Sequence, residues 1–296
     1  AAHCLAFIND PSVHQGVCPL QLSSGYTTII ASVQRPRNCF RALPRRAFRG
    51  GTFIRKGWFY TMIENLLHKA DVFIQENEDA LFADIKRVVD IDSVQTEGKP
   101  GMPSGEGVAK ALDTALEMAR GFGLETKSVG GYMGVADLKG KSDKQIAVIA
   151  HLDVVPAGNG WNSDPFCMIE KDGYIIGRGT ADDKGPAVVA MYAAKFLREQ
   201  GVELPYTLRL LFGTSEETGM EDVDHYLASE PQPAFCFTPD GEFPVGYGEK
   251  GGYGGKIVSP KFDGNLVDFR GGVATNAVPD RAYAIVKADL AKLPAA

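Results

Sequence analysis

Three short apolar runs constrain this chain most: residues 145–150 (QIAVIA), Thr207–Gly213 (TLRLLFG) and residues 234–237 (AFCF). Each is strand-sized and unbroken by the polar alternation of a half-exposed strand, the pattern of strands covered on both faces. Between the first two lies residues 186–200 (PAVVAMYAAKFLREQ), a helix that stops at Gly201. Tyr174–Ile176 is a further short strand candidate. Strand alternating with helix predicts an α/β architecture with a mixed, mostly parallel sheet flanked by helices.

Upstream, Ile63, Leu66, Leu67, Ala70, Phe73 and Ile74, then Leu81, Phe82, Ile85, Val88 and Val89, recur at helical spacing. A Gly/Pro-rich loop over 96–107 separates them from a second helix with Val108, Ala111, Leu112, Ala115, Leu116 and Ala119 on one face, ending at Gly121 and Gly123. Residues 1–61 lack such periodicity. They hold eight Lys/Arg and one acid, net +7, and leave 23 basic and 36 acidic residues, net −13, for residues 62–296. The expected division is a leader over 1–61, either a transit-like segment or not native coding sequence, a catalytic domain over 62–248, and the start of a smaller α+β unit over 249–296.

The acidic body excludes nucleic acid as the expected partner, since phosphate binding needs a basic surface. No apolar run approaches the roughly 20 residues of a membrane span. The five cysteines, Cys4, Cys18, Cys39, Cys167 and Cys236, form no C-x-x-C pair, so no cysteine zinc site is written here. A reducing cytoplasm is the expected setting.

Four polar clusters sit just after a predicted strand or at the start of a helix, where open α/β sheets bind ligands. His151-Leu152-Asp153 follows QIAVIA, and residues two apart on a strand share a face. Asp182-Asp183 precede a helix, where capping is the commoner role for such acids taken alone. Ser215-Glu216-Glu217 follows TLRLLFG, and two adjacent carboxylates repel unless a cation or proton is near. Asp240 lies in a Pro-Asp-Gly turn after AFCF, an everyday turn sequence. Together, one histidine and several carboxylates at strand ends match the N/O donor set that zinc accepts, as manganese and cobalt also do.

HLDVVP from His151, Gly160-Trp161 with Asp164-Pro165-Phe166, then GRGTADDKGP, TSEETG and PDGEFP resemble the zinc aminopeptidase/deacylase superfamily of aminoacylases, carboxypeptidases, desuccinylases and dipeptidases. ADDKGP, SEETGMEDVDHYL and TPDGEFPVGYGEKG look most like bacterial dipeptidases of the PepV type. The resemblance implies a zinc-peptidase-like catalytic domain with the start of a lid domain, holding two divalent cations. His151 and Asp240 would bind one cation, Glu217 the other, and Asp182 both, with a cis peptide between Asp182 and Asp183. Asp153 would orient His151, and Glu216 would be the general base. The substrate implied is a small peptide, a dipeptide with a free N-terminus. Asn276 in GGVATNAVPD resembles a lid residue that contacts substrate.

Such enzymes complete the second metal site with a late histidine, and after Asp240 this sequence has none. The chain is therefore expected to stop inside the lid. His68 and His225 are expected on helices in structural roles. Two other readings stay open: an N-acyl amino acid deacylase or desuccinylase of the same superfamily, and a truncated, catalytically silent polypeptide.

Overall fold

A computed structural model describes residues 31–32, 53–241, 246, 255–258, 264–272, 279 and 281–287. In chain order the elements are β1 (Ala31–Ser32), α1 (Phe53–Val89), α2 (Glu106–Gly121), β2 (Glu125–Val129), β3 (Met133–Leu138), β4 (Gln145–His151), β5 (Ile169–Lys171), β6 (Tyr174–Ile176), α3 (Lys184–Glu199), β7 (Thr207–Gly213), a 3-10 turn (Glu216–Thr218), α4 (Glu221–Ser229), β8 (Phe235–Phe237), β9 (Leu266–Gly271) and β10 (Ala282–Val286). The expected boundary at residue 62 falls inside α1, which runs through it without a break.

The central sheet has five strands in the order β2-β3-β7-β4-β8. It is mixed: β7, β4 and β8 run parallel, whereas β2 and β3 are antiparallel additions. The three apolar runs form its parallel part. β6 pairs with β5 and β1 in a small antiparallel sheet, and β9 pairs with β10.

Strand period two divides the side chains between two faces. Ala136, Val148, Ala150, Leu210 and Phe212 join the larger core with the buried faces of α1, α2 and α3. There Phe73 of α1 meets Phe196 of α3, ring centroids 5.3 Å apart. Met133, Val135, Ala147 and Leu211 point to the other face and pack under Tyr226 of α4. His151 and Arg209 continue this second set by alternation, so the α4 face also carries polar residues. Among the described residues no helix is long and apolar enough to cross a membrane.

Candidate metal centre and active site

β4 and β7 are in parallel register and end together, with His151 opposite Gly213. The chain leaves both strands at one level. Leu152 turns into the larger core, completely buried, which leaves His151 and Asp153 on the opposite side, as their spacing predicts. Asp182 arrives on the loop before α3, across a cis peptide to Asp183, as the resemblance implies. Gly185 closes this loop: a Cβ there would lie 2.0 Å from the Thr180 carbonyl oxygen, so only glycine fits. Asp183 occupies the N-cap position of α3, yet no side-chain cap bond forms. Its carboxylate instead accepts the His151 backbone N–H at 3.2 Å. Capping therefore does not account for the acidic pair. Glu216 and Glu217 sit on the 3-10 turn after β7, and Asp240 follows β8.

These residues converge. His151 Nε2 donates to Asp182 Oδ1 at 2.9 Å and lies 3.6 Å from Asp240 Oδ2 and 3.9 Å from Glu216 Oε2. Two donor groups have ligand atoms within 4.8 Å of one another: His151, Asp182 and Glu217, and His151, Asp183 and Asp240. Asp183 thus stands beside Asp240 where the resemblance implies Asp182. Glu216 belongs to neither group. Asn276 lies outside the described residues.

His151 Nδ1 donates to the Asp153 backbone carbonyl at 2.9 Å, with the Asp153 carboxylate at 3.5 Å. That carboxylate, completely buried, chiefly grips the neighbouring loop. Its two oxygens accept the backbone N–H groups of Glu216 at 3.2 Å and Glu217 at 3.1 Å.

The electrostatics are those of crowded acids. Burial pushes the Glu217 carboxyl up to about 7, and Asp182, Glu216 and Asp153 add to this against His151. Burial likewise raises Glu216, with Asp240, Asp153 and Asp182 reinforcing it. Asp183 is driven to about 8, first by burial, with Asp240 and Asp182 adding to it and His151 opposing. Burial would lower the His151 imidazole, but its contacts with Asp153, Asp182 and Asp240 outweigh it and raise it. Asp182 is held low, first by its hydrogen bond from His151.

Residues that the sequence reading left without a role complete the surroundings. Arg178 packs over the Trp161 ring at 5.7 Å, and both donate to the Ala157 carbonyl. Its charge is felt by Asp182 and Glu217. Lys184 is completely buried and donates to the Ile91 carbonyl at 2.7 Å. Both lie in GRGTADDKGP, where two cations amid acids were the available signal. Asp222 on α4 had no such signal.

The family model described as Peptidase family M20/M25/M40 matches residues 147–280. The chain is 37% identical over 222 residues to "Putative dipeptidase YtjP" of Bacillus subtilis (strain 168), covering 72% of this chain and 48% of that protein. It is 37% identical over 212 residues to the "Beta-Ala-Xaa dipeptidase" of Lactobacillus delbrueckii subsp. lactis, covering 69% and 45%. Human carnosine dipeptidase 1 is a similar solved structure, with TM-score 0.47 and 24% identity over 54% of this chain and 37% of that one. The chain thus spans about half the length of the curated relatives it matches. Residues 147–280 thus match peptidase family M20/M25/M40, within a longer stretch similar to relatives named as dipeptidases.

Proposed function

We propose that this chain carries the metal-binding part of a two-metal peptidase that hydrolyses dipeptides, with Glu216 as general base. One observation carries the reading: His151, Asp182, Glu217 and Asp240 converge from four separate strand or helix ends, while Glu216 stands beside them outside both donor groups.

The residues fit divalent cations. The donors are nitrogen and carboxylate oxygen, a set suited to zinc and open to manganese or cobalt. Asp183 Oδ1 is buried and has no hydrogen-bond partner among the described residues. Carboxylates raised first by burial and then by one another are those that a cation relieves. His151 and Asp240 would hold one ion and Glu217 the other, with Asp182 between them. Bound cations supply polarisation of the scissile carbonyl and an acidified water at neutral pH.

This chain's own residues do the rest. Glu216, lifted by burial, accepts the water proton and passes it to the leaving amine, general base then general acid. Asp153 holds His151 and the Glu216 backbone in one frame. Residues 62–248 form the catalytic domain, and 249–296 begin a lid that brings Asn276 to the substrate. The substrate is a small peptide, the named relative makes a β-Ala-Xaa dipeptide one to try, and the setting is cytoplasmic.

The experiment is zinc reloading of chelator-stripped protein, elemental analysis, and turnover on dipeptides beside N-acetyl and N-succinyl amino acids. Two ions per chain and chelator-sensitive dipeptide cleavage are expected. Two ions without any dipeptide cleavage overturn the reading. Cleavage confined to N-acyl substrates establishes the deacylase alternative. One ion or none, with no turnover, establishes the silent polypeptide.

A further inference from the structure

Four consecutive backbone N–H groups, those of Thr214, Ser215, Glu216 and Glu217, all end on carboxylates. Glu216 and Glu217 donate to Asp153. Thr214 and Ser215 donate to Asp222 Oδ2, at 2.6 and 3.1 Å. Asp222 is 2% exposed. Its own backbone N–H donates back to Ser215 Oγ at 3.1 Å, and its Oδ1 accepts the Val223 N–H at 2.8 Å. Its carboxylate thus accepts three backbone N–H bonds, two of them from one short stretch of the loop.

The room for it is specific. A Cβ on Gly213 would stand 2.6 Å from Asp222 Oδ2, so the carboxylate occupies the space that a side chain would fill. This space adjoins the strand end bearing the proposed base, in register with His151.

We propose that Asp222 is a positioning residue for Glu216 and Glu217, forming with Asp153 a two-carboxylate clamp on the backbone of residues 214–217. The inference rests on the proposed roles of Glu216 and Glu217, and it adds a residue that touches neither metal nor substrate. Bonds from N–H to a carboxylate are stronger than neutral ones, and four in a row hold the turn in the conformation seen here. A displacement of about 1 Å in a supporting element can cost on the order of 10²-fold in rate.

The test pairs Asp222→Asn with Gly213→Ala, in the metal-loaded full chain. Asparagine keeps the volume but loses the charge and sets an NH₂ group against one of the N–H donors. Alanine at 213 displaces the carboxylate while leaving it charged. Amide hydrogen exchange, read at residues 214–217 and in β4, requires no turnover. Both variants are expected to speed exchange at all four clamp amides at least tenfold, with β4 unchanged. Where the parent protein turns over a dipeptide, kcat is expected to fall at least tenfold with KM within twofold. Unchanged exchange at Glu216 and Glu217 in both variants overturns the clamp, as does equal loss of protection throughout β4, which would mark a general structural role. A parent without turnover speaks against the proposed function alone, because the exchange result stands by itself.

Discussion

Two buried polar clusters share the α4 face of the central sheet, and they are built on opposite terms. In one, Arg209 of β7 lies opposite Asp137 of β3 and grips it bidentately, Nε and Nη2 each 2.8 Å from a carboxylate oxygen. Nη1 donates to the Tyr226 hydroxyl at 2.9 Å. Charge meets charge and the donors are used. In the other, His151 lies among Asp153, Asp182, Asp183, Glu216, Glu217 and Asp240, with the Arg178 charge acting on Asp182 and Glu217, and several of these acids are still pushed upward. The first cluster is complete as folded. The second is short of positive charge, and two divalent ions would supply it. On the proposed function, the difference separates a polar group retained for structure from one retained for chemistry.

The sharpest way to break this contrast is at the proposed base. Glu216→Gln should lower kcat by about 10²–10⁴-fold while zinc content by elemental analysis stays the same. Activity within a few-fold of the parent would remove Glu216 from the chemistry. The compensated cluster should answer in stability alone. Arg209→Met strands the buried Asp137 carboxylate, with Lys139 still 3.4 Å away, and should cost about 3 kcal/mol in urea unfolding. A loss below ~1 kcal/mol would show that the ion pair is not what holds β3 to β7.

Metal should distinguish the two clusters next. Zinc at about 100 times its Kd should stabilise the chain by about 2.7 kcal/mol, and His151→Ala should abolish that gain while Arg209→Met preserves it. A zinc gain that survives His151→Ala would place the ion elsewhere. Smallest is Tyr226→Phe, which deletes the hydrogen bond from Arg209 and a longer one to the Pro231 carbonyl and should cost about 1.5 kcal/mol. An effect on metal content from this change would mean that the clusters are not independent.

How far the sequence carried the fold depended on the kind of strand. β4, β7 and β8 are continuous apolar runs ended by a polar residue or glycine, and each forms within a residue of its expected limits. β2 and β3 escaped notice. ETKSV has almost nothing to bury, being the sheet edge, and MGVADL interrupts its apolar residues with Gly134 and with Asp137, whose partner Arg209 is distant in sequence. The two missed strands add the antiparallel pairings, and β3 alone runs against the other four strands of the sheet.

The candidate site was more legible than the fold around it. His151, Asp182, Glu216, Glu217 and Asp240 could be named as candidates because their clusters follow strand ends together and in the order of the motifs that carry the resemblance, although each alone reads as a cap, a turn or a surface pair. Asp222 could not. An acid in the first turn of a helix is ordinary helix chemistry, and α4 opens with Glu221, Asp222 and Asp224 together. Only folding shows which of the three turns back to the loop. Asp183 escaped for a related reason: its N-cap position predicts a bond that its side chain does not make.

The aligned ends of β4 and β7 carry one more implication. Sliding β4 by a single residue would preserve most of an apolar sheet's appeal, since Ile, Ala and Val recur along it, yet it would turn every side chain to the opposite face. His151 would then point into the aliphatic core and Leu152 into the acids. Only the alignment that sets His151 opposite Gly213 brings the imidazole to its carboxylates, so a slipped strand would forfeit those contacts even where its apolar packing survived.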